Sequence, residues 1–163
     1  SPILFKQERS GLNAKPFKIM KFRSMSNKMD ANGKLLPDHL RVTKLGLFLR
    51  SSSLDELPEL LNIIKGEMSF IGPRPLPVIY NGYYKEHEMT RFNVRGGLIP
   101  PDSVDSNPII SWDKQFEYES SYAENLGLVL DVIINAFRVV FQRNSLDYGS
   151  FERKPLNEER KKL

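Results

Sequence analysis

The chain has 163 residues, 40% of them apolar and 27% charged, which is enough for one sizeable core and places it in the usual range of a single domain. It has no cysteine, which excludes a disulfide framework, a thiolate metal site and a cysteine nucleophile. The net charge of +4 is unevenly spread: residues 1–50 hold eleven Lys or Arg against three Asp or Glu, whereas residues 51–150 hold eight against fourteen. A basic first third favours polyanions, whether phosphate-bearing ligands, an anionic membrane leaflet or nucleic acid. No stretch reaches the roughly 18 uncharged apolar residues of a spanning helix, and no signal peptide is visible. The chain starts at Ser1 without a Met, as a fragment lacking upstream residues would.

Residues 3–9 and 17–23 are aromatic-rich and alternating, separated by a segment with Gly11 and Pro16, the pattern of a β-hairpin with a long loop. Alternation puts Lys18 on one face, and Phe17, Ile19, Lys21 and Arg23 on the other. Residues 26–40 have loop composition. A short helix is predicted over 42–50, with Leu45, Phe48 and Leu49 inward. Over 53–66, Leu57, Leu60, Leu61 and Ile64 recur at helical spacing and Gly66 stands where a helix C-terminus favours it. Two starts fit: Ser53 as cap with Glu56 completing a capping box, or Asp55 as cap with Pro58 as the third helical residue. Either one puts Asp55 and Glu56 at a helix N-terminus.

Residues 68–71 read as a short extended piece leading into Gly72-Pro73-Arg74-Pro75, where two prolines restrict the backbone around one arginine. A helix over 78–92, an irregular segment over 95–108 and a helix over 112–123 follow. A last helix over 126–142 is apolar except for a stripe of Asp131, Asn135, Arg138 and Gln142, so the rest of its surface needs cover from protein or lipid. Residues 144–163 are charged and aperiodic, as expected of a flexible tail. The fold class is α+β: mainly helical, with an N-terminal β-hairpin and amphipathic helices at a membrane surface.

Asp55 and Glu56 alone are weak evidence, because acidic residues stabilise the first turn of many helices. Neighbours on a helix point about 100° apart, so the pair does not share a proton as a facing dyad does. A carboxylate can attack phosphorus if it is ionised and the phosphate oxygens are neutralised. A helix N-terminus favours ionisation, while a divalent cation with arginines offsets the repulsion. Two adjacent oxygen donors suit Mg²⁺ better than zinc. Arg74, pre-set between prolines, suits a phosphate clamp, and Arg50, Lys21 and Arg23 are weaker candidates by the same logic. His39 and His87 lie in polar surroundings, so a histidine-based triad is rejected. The basic segment has no groove-reading or stacking motif, which speaks against nucleic acid.

Four stretches taken together resemble a known family: Phe5-Lys6-Gln7-Glu8-Arg9-Ser10-Gly11, Lys21-Phe22-Arg23-Ser24-Met25, Leu49-Arg50 with Ser53-Leu54-Asp55-Glu56-Leu57-Pro58, and the run from Leu61 through Gly72-Pro73-Arg74-Pro75. They resemble the bacterial sugar transferases known as monotopic polyprenyl-phosphate phosphoglycosyl transferases, over residues 4–143. The resemblance implies a two-step transfer at the cytoplasmic face of the bacterial inner membrane. Asp55 would take a sugar phosphate from a UDP-sugar, expelling UMP, and pass it to a polyprenyl (undecaprenyl) phosphate. It further implies Mg²⁺ on Asp55 and Glu56, a role for Glu56 in holding the metal or handling the acceptor's proton, and phosphate binding by Arg74 and Arg50. Residues 1–143 would be the catalytic domain and 144–163 the tail. A homodimer is compatible with this reading.

Two departures matter. The family's hydrophobic re-entrant helix before Ser1 is missing, so attachment would rest on the last helix and the basic face. The family's Pro-Gly-Ile/Leu-Thr-Gly segment is replaced by Arg95-Gly96-Gly97-Leu98-Ile99-Pro100-Pro101-Asp102, which bears on donor binding. The alternative function is a non-catalytic docking module at the membrane, derived from the same family.

Overall fold

The computed structural model describes residues 2–104, 111–125 and 153–162. Strand β1 (Leu4–Ser10) returns as β2 (Pro16–Phe22) in the predicted hairpin, with Phe5 opposite Lys21, Gln7 opposite Ile19 and Arg9 opposite Phe17. Directly opposed residues share a face, so Arg9, Gln7, Ile19 and Lys21 project from the same side.

A loop leads to α1 (Asp38–Arg41) and α2 (Lys44–Ser51). The Thr43 hydroxyl caps α2 by accepting the Gly46 N–H at 2.9 Å. Gly46 lets α2 close on the backbone after the hairpin, since a Cβ there would lie 1.8 Å from the Ser24 carbonyl oxygen. The helix therefore buries Gly46, and the expected inward face is not inward: Leu45 and Phe48 are 65% and 58% exposed, and of the three only Leu49 is partly covered.

The helix predicted over 53–66 is two pieces, a 3₁₀ turn at Leu54–Glu56 and α3 (Glu59–Ile64). Neither cap register is realised. Ser53 precedes the turn in a left-handed conformation (φ 54°, ψ 16°) with no side-chain cap bond, and Pro58, which has no N–H to continue the ladder, stands just before α3. The C-terminus follows the expectation: Gly66 at φ 74° donates to Ile63 O, and Glu67 donates to Asn62 O, both at 2.9 Å, the pair of bonds that closes a helix on a left-handed glycine.

The faces of α3 are reversed relative to the leucine pattern. Glu59 and Asn62 are buried, whereas Leu57, Leu61 and Ile64 are 48%, 48% and 81% exposed. The reason is the hairpin. The Asn62 side chain accepts the Met20 N–H at 3.2 Å and donates to Lys18 O at 2.9 Å and Glu67 Oε2 at 2.7 Å, pairing backbone groups on the outer edge of β2.

Strand β3 (Ser69–Ile71) pairs in parallel with β4 (Gly97–Ile99), which lies within the segment read as irregular. A Cβ on Gly97 would sit 2.1 Å from Gly72 N, and one on Gly96 2.6 Å from Pro75 Cγ, so glycine permits this close approach. Residues 78–92 are not one helix but two 3₁₀ stretches, Val78–Tyr80 and Glu86–Asn93. The Glu88 carboxylate takes the Lys85 N–H at 2.7 Å and starts the second stretch afresh. Helix α4 (Trp112–Glu124) matches its expectation, capped by Ser111 Oγ, which accepts the Lys114 N–H.

Leu76, Tyr80, Tyr84, Phe92, Trp112, Phe116 and Leu156 make a hydrophobic core cluster, with edge-to-face ring pairs such as Tyr80–Trp112 and Tyr84–Phe116. Leu156 belongs to α5 (Leu156–Glu159), so residues 153–162 correct the expectation of a flexible tail. Trp112 Nε1 donates to Lys154 O at 2.9 Å, and Arg160 pairs with Glu88 at 2.7 Å and with Asp113. The helix predicted over 126–142 and the rest of the tail lie outside the described residues. Among the described residues, no helix is long and apolar enough to cross a membrane. The described residues mix helix and strand around two small sheets.

The reversal of α3 is testable by a pair of variants. Asn62→Ala should cost about 2–3 kcal/mol by leaving buried backbone groups unpaired, whereas Leu61→Ala, a larger apolar loss from an exposed site, should cost under about 1 kcal/mol. Urea midpoints measure both, and the opposite ranking would overturn the assignment of faces.

Candidate active site

Glu56 is the meeting point of two cations. Its Oε1 lies 2.7 Å from Lys21 Nζ and 3.5 Å from Arg74 Nη2, and Lys21 Nζ is also 3.1 Å from Oε1 of buried Glu59. The geometry follows from three local features. Lys21 shares the face of Ile19 on β2, Glu56 ends the 3₁₀ turn, and Glu59 begins α3 one turn later. Burial pushes the Glu59 carboxyl up, with Lys21 opposing.

Asp55, next to Glu56, is in a different state. Among the described residues it makes no ion pair, although Lys21 and Arg50 are near enough to favour its charge. Burial and then the Glu56 charge outweigh them, so its carboxyl is pushed above the ordinary aspartate range. Arg50 reaches this site from α2, where its Nε donates to Ser24 Oγ at 3.0 Å and its Nη2 lies 2.9 Å from Met25 Sδ. Arg23 is elsewhere: its guanidinium contacts Pro2 O, Asn27 Oδ1 and the Phe5 ring.

Arg74 is held by its backbone. Its N–H donates to Glu119 Oε1 at 3.0 Å, its C=O accepts from Arg91 Nη2 at 2.7 Å, and the buried Arg91–Glu119 ion pair, 2.9 Å, closes the ring. The Arg74 side chain is left half-exposed, projecting toward Glu56. Arg9, Lys21, Glu56, Arg74, Gly97 and Leu98 line a small cavity of about 40 Å³ beside the cluster, so the segment after Arg95 contributes to the site.

A family model described as bacterial sugar transferase matches residues 1–143. The chain belongs to the bacterial sugar transferase family. It is 44% identical over 134 residues to the uncharacterized sugar transferase EpsL of Bacillus subtilis, covering 82% of this chain and 66% of that protein. It is 36% identical to the UDP-glucose:undecaprenyl-phosphate glucose-1-phosphate transferase of Klebsiella pneumoniae, covering 86% of this chain and 32% of that enzyme. It is 33% identical to the exopolysaccharide production protein ExoY of Rhizobium meliloti, covering 81% of this chain and 66% of that protein. The chain thus spans about two thirds of two of these relatives and one third of the other.

In this member of the family, Asp55 and Glu56 are adjacent hard oxygen donors whose mutual repulsion a cation would offset. That donor set fits Mg²⁺, which takes one or two carboxylates and completes its shell with water and substrate phosphate. No group of three or more His, Asp or Glu with metal-binding placement occurs among the described residues.

Of the residues singled out from sequence, Lys21, Asp55, Glu56, Arg50 and Arg74 come together and Arg23 does not. Sequence reasoning missed Arg9, Glu59, Arg91 and Glu119. Glu119 carries a readable signal, since it falls in helical phase with Trp112, Gln115, Phe116 and Tyr122, all buried on α4. An acid in an apolar stripe announces a buried counter-charge.

Removing Arg91 should expose what its pair with Glu119 does. Arg91→Met should cost about 3–5 kcal/mol at pH 7 by stranding the Glu119 carboxylate. Burial already raises the Glu119 pKa, with Arg91 the strongest opposing influence, so its loss raises it further. The folded variant then holds a proton that the unfolded chain gives up, and the deficit should shrink as pH falls from 7 toward 5. A deficit that grows on acidification, read by urea denaturation, would refute this account.

Proposed function

We propose that this chain transfers a sugar-1-phosphate from a UDP-sugar to a polyprenyl phosphate, undecaprenyl phosphate in particular, through a phosphosugar bonded to Asp55. The observation that carries the reading is the contrast between two adjacent carboxylates. Glu56 is committed to Lys21 and Arg74, whereas Asp55 makes no ion pair among the described residues and keeps an oxygen for a new bond. The name of the Klebsiella relative, which specifies a UDP-glucose donor and an undecaprenyl-phosphate acceptor, supports the substrate classes.

In the first step an Asp55 carboxylate oxygen attacks the β-phosphorus, the bond to the oxygen bridging to the α-phosphate breaks, and UMP departs with that electron pair. In the second an oxygen of the polyprenyl phosphate attacks the same phosphorus, releasing Asp55 and leaving a diphosphate-linked sugar. Arg74 and Arg50 hold phosphate oxygens, and the backbone clamp on Arg74 keeps its guanidinium from reorganising during the reaction. Lys21 fixes Glu56 and helps Asp55 to ionise. Glu56 also accepts a proton from the acceptor phosphate if that group arrives protonated. Mg²⁺ held by Asp55 and Glu56 would supply neutralisation of the diphosphate charge.

The exposed apolar side chains of α2 and α3, among them Leu45, Leu47, Phe48, Leu61 and Ile64, support a resting place at a lipid surface. The basic first third supports an anionic one. We place the site at the cytoplasmic face of the bacterial inner membrane, where a nucleotide donor and a lipid acceptor both reach it.

Incubation with UDP-sugars and Mg²⁺ should add one phosphosugar to Asp55, seen by peptide mass spectrometry, with release of UMP. Asp55→Asn should lose both signals. No adduct and no UMP release with any UDP-sugar would reduce the chain to a docking module, and UMP release that survives Asp55→Asn would remove Asp55 as the nucleophile.

The pH profile gives an independent check. Lys21 opposes the upward push on the Asp55 carboxyl, so Lys21→Met should raise its pKa again and move the acid limb of UMP release to higher pH. A limb that stays in place or moves to lower pH would mean that another group governs it.

A further inference from the structure

Arg9 lies outside the cluster assigned above, yet the fold holds it firmly beside that cluster. Its backbone is paired on both sides, with Phe17 on β2 and with Pro77 across an isolated bridge, while the next residue's N–H donates to Leu76 O at 3.0 Å. Ser10 Oγ is tied to Asn81 Oδ1 at 2.7 Å. The side chain shares a face with Ile19 and Lys21 and lines the same cavity as Lys21 and Arg74.

Its own partners are neutral. Nη1 donates to Pro75 O at 3.3 Å, Nη2 donates to Gln7 Oε1 at 2.6 Å, and Nε is buried with no hydrogen-bond partner. Among the described residues no carboxylate forms an ion pair with it. A buried cation ordinarily has a counter-charge, and here the strongest neighbouring charge is another guanidinium, Arg74, which opposes it together with burial. Two arginines and a lysine around one cavity, with Glu56 and Glu59 as its only acids, leave room for one anion. The cavity's volume of about 40 Å³ holds roughly two or three waters, the scale of a single phosphate group rather than a nucleotide sugar.

We propose that Arg9 is a further substrate-binding residue, closing with Arg74 and Lys21 on one phosphate group through its unpaired Nε–H. This rests on the transferase reading and adds to it a second arginine on the side of the cluster formed by the hairpin. The phosphate belongs either to the nucleotide or to the polyprenyl carrier, and both share the chemistry that an arginine fork recognises.

Binding to the full chain is measured for inorganic phosphate, for UMP and for a short polyprenyl phosphate in detergent micelles, comparing wild type, Arg9→Gln and Lys6→Gln. Lys6 is exposed on the same strand and controls for loss of one positive charge. Arg9→Gln should weaken inorganic phosphate about tenfold, the usual scale for a charge-assisted hydrogen bond, with Lys6→Gln within twofold of wild type. The same loss for UMP, for the polyprenyl phosphate or for both supports the inference and names the source of the phosphate. Equal affinities of Arg9→Gln and wild type for all three, or an equal loss in Lys6→Gln, would overturn it.

If Arg9→Gln fails to fold, the Nε–Hε resonance of Arg9 in the wild-type chain, identified by its absence in Arg9→Lys, gives the second reading. It should shift as inorganic phosphate is added, and a stationary signal would overturn the proposal. These measurements need no turnover. An inactive wild type that binds phosphate through Arg9 removes the transferase reading and leaves this one, whereas an active wild type indifferent to Arg9 does the reverse.

Discussion

Among the described residues, strand β2 has a strand partner on one side only, and its outward N–H and C=O groups need hydrogen bonds that α3 supplies. Asn62 satisfies Met20 and Lys18 with one amide, and Glu59, one turn earlier, receives Lys21. A helix of six residues has few faces to offer. Once its polar stripe is turned toward the hairpin, Leu61 and Ile64 must point outward, so the buried polar contacts and the exposed apolar surface are two consequences of one orientation. The same orientation carries the turn Leu54–Glu56 to the end of the hairpin where Lys21 stands. The candidate site is therefore built by the contact that fastens the first third of the chain to the rest.

Arg74 is positioned by a second, independent device. A buried ion pair is poor evidence for net stability, because desolvation offsets much of its attraction. The Arg91–Glu119 pair has a different consequence: its two ends grip the N–H and the C=O of one residue, and Pro73 and Pro75 limit the remaining freedom of that backbone. The grip extends outward. Glu119 Oε1 accepts from Gln115 Nε2 at 2.9 Å, and Gln115 Oε1 accepts from Arg153, whose guanidinium stacks 3.5 Å above Trp112. A segment more than seventy residues downstream thus helps to set the arginine that faces Glu56.

The hairpin was legible because alternation and parity are local properties, and parity alone placed Lys21 beside Ile19. It misplaced Arg23, which shares that parity but follows the end of β2, where the chain turns toward Pro2 and Asn27. Periodicity found the helical stripe of α3 but not its direction, since spacing defines a face without saying which side the protein occupies. The leucines argued for inward, and the unpaired edge of β2, invisible in a one-dimensional pattern, decided otherwise. Residues 78–92 failed for a related reason, because Glu88 takes the Lys85 amide in a side-chain bond that propensity does not register. Arg9, Arg91 and Glu119 owe their importance to Arg74, 17 or more positions from each of them, and only the fold brings these together.

The division of labour between Asp55 and Glu56 comes from the tight turn as much as from their charges. In a 3₁₀ turn successive side chains diverge by about 120°, more than on an α-helix, so two adjacent carboxylates face different neighbours. Glu56 meets Lys21 and Arg74 through one of its oxygens. Asp55 feels Lys21 and Arg50 only at longer range, and burial with the Glu56 charge keeps its carboxyl more basic than an ordinary aspartate. A carboxylate locked in a short ion pair has its lone pairs occupied and its nucleophilicity lowered. The nucleophile we propose is the more basic of the two and makes no ion pair among the described residues, so it has an oxygen to offer, and the left-handed Ser53 just upstream begins the turn that carries it.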